Sequence, residues 1–207
     1  MKKILLIIVI SICTLISCQK KNEDTQPQTN LMVQRVDNLA ADPTTNTGTG
    51  QPQPATGKFT LFSLKDKAII PNTDSTTNKW DIGFRGTTII INGGTIRTGQ
   101  GGAYIHTGLF DELKQIPDNQ IFNTDQSTTQ LAIPTGSGTG WYNYNPLQNW
   151  ISPIAGRVLV IRTGDGKFAK LEILSYYRDA PNTPSTTAVS RYYTFRYIYQ
   201  PNGTRTF

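Results

Sequence analysis

An all-β fold is predicted for this chain, a single domain of antiparallel sheets with at most one or two short helices, and three observations predict it. From Lys58 onward strand signals dominate, as short apolar runs and as runs such as 59–64 in which residues alternate with a period of two, the pattern of a half-buried strand. The clearest run is 191–199, where Tyr193, Phe195, Tyr197 and Tyr199 share one face and Thr194 and Arg196 the other. The runs are punctuated by Asn92-Gly93-Gly94, Gly164-Asp165-Gly166 and Pro201-Asn202-Gly203, turn sequences that supply the positive φ a tight β-connection needs. Finally, all 20 aromatic residues of the 207 lie between Phe59 and Phe207, which concentrates enough apolar surface in roughly 150 residues for one core.

Taken in order, the chain opens with an address rather than a structure. Met1-Lys2-Lys3 is a basic start and residues 4–16 are an apolar run too short to span a bilayer comfortably. It ends in Leu15-Ile16-Ser17-Cys18, which resembles the lipobox of bacterial lipoproteins and implies a signal peptide over 1–17 and acylation of Cys18. Several buried acyl chains, at about 0.8 kcal/mol per methylene, make such an anchor stable. Residues 18–57 hold no aromatic residue, and 42–57 are almost wholly Thr, Asn, Gln, Pro and Gly. This composition predicts a disordered tether, with a reach on the order of 35 Å if fully flexible. Glu23-Asp24 resembles the acidic surface-export signal of some Gram-negative lipoproteins.

The domain is expected over 58–207. Strands are predicted at 59–64, 80–84, 87–91, 157–163, 167–177 and 191–199, with a last short one ending at Phe207. Asp-Gly between 157–163 and 167–177 marks a hairpin. Apolar residues at 109, 110, 113 and 116 have helical spacing. Residues 119–149, rich in Gly, Thr and Asn and interrupted by Pro134 and Pro146, read as long loops of the kind that carry function.

Composition excludes several chemistries. Without Lys2 and Lys3 the chain keeps 18 basic against 14 acidic residues, scattered singly apart from Lys20-Lys21, too diffuse for nucleic-acid binding. Both cysteines, Cys13 and Cys18, precede the domain, so it has neither a thiolate nor a disulfide. His106 is the only histidine, no Gly-x-Ser-x-Gly elbow exists, and no carboxylate pair is spaced for glycoside chemistry. The reading is a binding module, not an enzyme. Trp141, Tyr142, Tyr144 and Trp150 are loop aromatics suited to a flat apolar ligand or a glycan, and equally suited to anchoring loops on the core. Tyr104 and His106 lie together at a predicted strand end.

Three stretches together resemble the HmuY family of haem-binding bacterial lipoproteins. They are Lys79-Trp80-Asp81-Ile82-Gly83-Phe84-Arg85-Gly86 with Asn92-Gly93-Gly94-Thr95, then Ile161-Arg162-Thr163-Gly164-Asp165-Gly166-Lys167-Phe168-Ala169-Lys170-Leu171-Glu172-Ile173-Leu174-Ser175-Tyr176-Tyr177, and then Tyr193-Thr194-Phe195-Arg196-Tyr197-Ile198-Tyr199-Gln200-Pro201-Asn202-Gly203. The resemblance implies an all-β, hand-like fold whose loops grip one haem, acquired as an iron source and passed to an outer-membrane receptor by a surface-exposed outer-membrane lipoprotein. Family members hold the iron between two axial histidines or methionines. The loops here offer only His106 and no methionine, so a second axial ligand falls to Tyr142, Tyr144, Tyr104, water or another molecule's histidine; tyrosine ligates haem iron elsewhere. Arg97 and Lys114 are candidates for the propionates. The alternative is the same fold binding a glycan or peptide, or serving as a partner subunit of an outer-membrane complex.

Overall fold

The computed structural model describes residues 31–43, 45–46, 52–53, 55–183 and 185–207. The signal peptide and the lipidated Cys18 expected from the sequence lie outside these residues. The strands are β1 (Gln34–Ala40), β2 (Thr45–Asn46), β3 (Pro52–Gln53), β4 (Thr60–Ser63), β5 (Ala68–Ile70), β6 (Ile82–Arg85), β7 (Thr88–Ile91), β8 (Gly102–Thr107), β9 (Tyr142–Asn145), β10 (Trp150–Pro153), β11 (Arg157–Arg162), β12 (Phe168–Tyr177) and β13 (Ser190–Gln200). The all-β class holds.

Two antiparallel sheets carry the core. One has the order β1-β13-β12-β11-β8 and the other β5-β4-β6-β7. Their facing sides interdigitate: Phe62, Ile82, Phe84, Ile89 and Ile91 from the smaller sheet meet Leu159, Ile161, Leu171, Tyr193, Phe195 and Tyr197 from the larger. Phe84 stacks on Phe195 at 5.6 Å, and Phe62 meets the same ring edge-on at 5.7 Å, arrangements aromatic pairs favour. The odd-numbered aromatic face of β13 is therefore the core face. Its even residues Thr194, Arg196 and Ile198 look the other way, where Phe110, Leu113 and Ile116 cover the sheet.

The predicted turns close as expected. Gly166 has φ +83° and its N–H donates to the Thr163 carbonyl at 2.9 Å between β11 and β12. Gly94 has φ +104°, and a Cβ there would sit 2.1 Å from the Asp125 carbonyl oxygen.

Three expectations need correction. The tether expected over 18–57 is not structureless throughout: Gln34–Ala40 pairs antiparallel with β13 from Gln34↔Tyr197 to Ala40↔Tyr192, and Leu39 and Ala41 are buried. As an edge strand with a bulge between Val36 and Leu39, β1 is held by backbone hydrogen bonds and needs few apolar side chains. Residues 109–116 form no helix. The chain makes one turn, with the Glu112 and Leu113 amides donating to the Leu109 carbonyl, and then pairs with the C-terminus through Ile116 N–H to Arg205 O and Phe207 N–H to Lys114 O. The helical spacing of Phe110, Leu113 and Ile116 is real burial, delivered by a turn. Finally, the loop region 119–149 contains a strand, β9, paired with β10.

Candidate functional site

The β9–β10 hairpin builds a cleft at one end of the larger sheet. Its tip closes because the Asn145 side-chain oxygen accepts from the Leu147 and Gln148 amides at 3.0 and 3.3 Å, a local turn that asparagine favours, while Asn149 takes φ +48°. The base is pinned by Trp141, whose indole N–H donates to the Thr87 carbonyl at 2.9 Å. Along the hairpin, Trp150 stacks face to face on Tyr177 with centroids 3.8 Å apart and planes 8° from parallel. The Tyr177 hydroxyl accepts from the Ile151 amide at 2.9 Å.

Tyr176 and Tyr177 are adjacent yet both buried in the same core cluster. In a regular strand they would point to opposite faces. Register shifts between Ile173 and Ser175 and between Ser175 and Tyr177 are bulges that re-aim the chain. The result is a cleft of about 350 Å³ lined by Tyr144, Asn149, Ile151, Tyr176, Tyr177 and Arg191, among others. Burial pushes the Tyr176 phenol up to about 12, with the Arg191 guanidinium opposing it, and burial also raises Tyr177. These two phenols are neutral walls. Tyr144 differs: it is 43% exposed, and its hydroxyl donates to the Asn149 side-chain oxygen at 3.1 Å. It is the exposed phenol of the cleft. The sheet and the hairpin together thus offer apolar rings, one accessible phenol and one guanidinium.

The residues singled out from sequence do not form one constellation. Trp141 is 2% exposed, packed against Tyr142, Tyr176 and Tyr193 at 4.9–5.8 Å, and is a core anchor. Tyr104 is likewise buried. It is 9% exposed, capped edge-on by Phe122 at 5.3 Å, and its hydroxyl is buried without a hydrogen-bond partner. Tyr142 is half-buried against the core. His106, opposite Val158 in β11, is half-buried on the sheet face turned away from that core, with its Nε2 against Gly108. His106 and Tyr144 are therefore not brought together. Arg97 and Lys114 are not on this cleft either: Arg97 lies near Trp80 and Asp125, and Lys114 is exposed.

Tyr176, Tyr177 and Arg191 were not identified as site residues by sequence, because they sit within strands read as scaffold. The tandem Tyr176-Tyr177 at the end of an alternating run was the available signal, since it breaks the period of two. Among the described residues no group of three or more His, Cys, Asp or Glu side chains is arranged to hold a metal ion.

Comparisons with known proteins agree with the resemblance in sequence. Solved structures similar to this chain include an HmuY-like heme binding protein from Bacteroides vulgatus (15% identity over 84% of this chain and 94% of that one, TM-score 0.49). A lipoprotein from Bacteroides fragilis has 17% identity, 85% and 95% coverage and a TM-score of 0.49. The apo HmuY analog of Tannerella forsythia has 17% identity, 83% and 96% coverage and a TM-score of 0.44. No curated protein matches the sequence. The HmuY protein family matches residues 55–197, a span that runs from the chain entering β4 to the outer half of β13 and includes the whole hairpin cleft. The chain belongs to the HmuY family.

Proposed function

We propose that this protein is a membrane-anchored lipoprotein that binds haem or a related porphyrin as cargo, without catalysis, in the cleft beneath the β9–β10 hairpin. Family membership and the HmuY-like heme binding protein among the similar structures support the ligand class. The observation that carries the site is Tyr144, an accessible phenol at the mouth of a cleft walled by Tyr176, Tyr177 and Ile151. A phenol can ligate haem iron, the rings suit the edge of an apolar macrocycle, and Arg191 suits a propionate. Cys18 supplies the lipid anchor, the outer membrane is the compartment, and a surface receptor takes the cargo onward.

The test is an absorption titration of haemin into the full chain. A saturable Soret shift at one haem per chain is expected, altered in position by Tyr144→Phe and unchanged by His106→Ala. A shift abolished by His106→Ala and indifferent to Tyr144→Phe moves the site to the other face of the sheet. No saturable shift removes haem as the ligand and leaves a glycan, a peptide or a protein partner for the same fold.

A further inference from the structure

The surface around the β9–β10 hairpin carries no charge of its own. Residues 126–156 contain no Asp, Glu, Lys, Arg or His, and neither do residues 180–190, although 16% of the chain is charged. Most of 126–149 is exposed, so burial does not account for the missing charges. The flanking cations are engaged by backbone: Arg157 gives an N–H to the Gly140 carbonyl at 3.0 Å, and Arg191 gives one to the Asp42 carbonyl at 2.9 Å. Loss of charge with retention of tyrosine is the composition of the centre of a protein interface. Tyr, Ser, Asn and Gly, which fill this stretch, are the residues of loops that bind other proteins.

Within that surface the hairpin tip is ordered by its own polar groups. Besides accepting from two amides, Asn145 donates through Nδ2 to Gln148 Oε1 at 3.0 Å. The Tyr144 amide donates to Ser137 Oγ at 2.8 Å, and Pro146 fixes its own φ. The polar side chains of the tip are thus engaged with one another. Leu147 is different: it stands at the apex, 96% exposed, and its side chain adds nothing to the core. An apolar side chain held out on a preorganised turn loses little freedom on binding, and an aliphatic anchor seated in a pocket is how interfaces are centred.

Other occupants fit this surface less well. A glycan needs an open aromatic face, and both tryptophans are committed, Trp141 in the core and Trp150 against Tyr177. A lipid surface needs cations beside the apolar residue, and the tip has none. The tip also lies away from the end at which the chain enters the sheet: β1 starts at Gln34 beside Tyr197, whereas the hairpin packs on Tyr177, opposite Ser190. We propose that the tip, Tyr144 to Asn149, docks a protein partner whose apolar pocket takes Leu147 and whose uncharged rim faces the hairpin. Tyr144 and Asn149 also line the cleft, so, resting on the reading that the cleft holds the cargo, this partner is the protein that takes the cargo onward.

The test places a photo-crosslinking residue at position 148 of the full chain, in membranes of the cells that produce it, with Leu147 or Leu147→Asp beside it. Ile121→Asp, which removes an apolar group 77% exposed elsewhere, is the control. An adduct with one other protein is expected, reduced about tenfold or more by Leu147→Asp and unaffected by Ile121→Asp. Its yield should hold as salt is raised to about 0.5 M, since no charge is screened. Growth of the cells on limiting haemin should fall with Leu147→Asp alone. A haemin titration keeps the two readings apart: Leu147→Asp should bind haemin as wild type does, and a wild type that binds none removes the cargo reading and leaves the adduct to decide the docking surface. An adduct with lipid, with a second copy of this chain, or with a protein irrespective of Leu147 would overturn the proposal. So would an adduct that salt disperses, or growth on haemin untouched by Leu147→Asp in a chain that binds haemin.

Discussion

Lys170 and Phe110 meet twice: the lysine Nζ donates to the Phe110 carbonyl oxygen at 2.7 Å and lies 4.6 Å from the centre of the Phe110 ring. The same Nζ donates to the Leu113 carbonyl, also at 2.7 Å. A lysine 1% exposed in the middle of a strand thereby ties down the 108–116 turn that covers the larger sheet. Burial, with Lys114 nearby, lowers its pKa to about 8.

That shift has a direction. The folded-state value lies below the ordinary lysine value of 10.5, so between pH 8 and 10 the unfolded chain holds more protons than the folded one, and Lys170 makes stability rise with pH. A neutral amine has two N–H donors, matching its two carbonyl acceptors. Lys170→Met should destabilise the protein by about 1–3 kcal/mol at pH 7 by orphaning those carbonyls. Urea unfolding from pH 7 to 10 should show the gap to wild type widening. Above pH 10 the trend reverses, because burial raises Tyr176, Tyr197 and Tyr199 to about 12, and stability carried by their neutral phenols is lost as pH rises from 10 through 12.

Asp81 is the corresponding hub on the other side of the sandwich. One oxygen accepts from the Leu64 amide at 2.7 Å and the other from the Gly164 amide at 2.9 Å, joining the smaller sheet to the β11–β12 turn. Burial raises its pKa to about 6 against these two bonds. Its contribution is full below pH 3.8 and declines as pH rises through 6. Asp81→Asn leaves one amide facing an NH₂ donor and should cost about 1–3 kcal/mol. Thermal melts at pH 4 and pH 7 should show a smaller pH difference in the variant than in wild type across that window.

Trp150 seats the hairpin through one stacked ring. Trp150→Ala should destabilise by about 1–3 kcal/mol from lost area and stacking and free the hairpin from Tyr177. Hydrogen exchange at the Ile151 amide, protected in wild type by the Tyr177 hydroxyl, should accelerate selectively. If exchange rises evenly across all strands instead, the stack matters only for global stability.

Gly94 cannot carry a side chain. Gly94→Ala meets both a φ of +104° and the Asp125 backbone, and should cost at least 1–3 kcal/mol, read as a shift of the denaturation midpoint.

The strands were legible because burial writes itself into the chain, with period two in β13 and as short apolar runs in β7 and β11: β4, β7, β11 and β12 lie within the predicted runs, while β6 extends one residue past its run and β13 one residue past each end of its run. What escaped was held by other means. β1 is joined to β13 by backbone hydrogen bonds, which leave little trace in side-chain pattern. The 109–116 turn has helical spacing because three residues must reach one sheet face, and spacing alone does not distinguish a turn from a helix.

The site divides along the same line. The residues by themselves determined the all-β class, the family, the single histidine, and the absence of cysteine and methionine from residues 58–207, since these depend on composition and local order. Only the tertiary structure decided which aromatics are exposed. Trp141 and Tyr144 are three residues apart and chemically alike, yet one fills the core and the other stands at the mouth of a cleft. That difference arises from bulges in β12 and from the packing of a hairpin on a distant strand, and long-range packing of this kind has no local signature in the sequence.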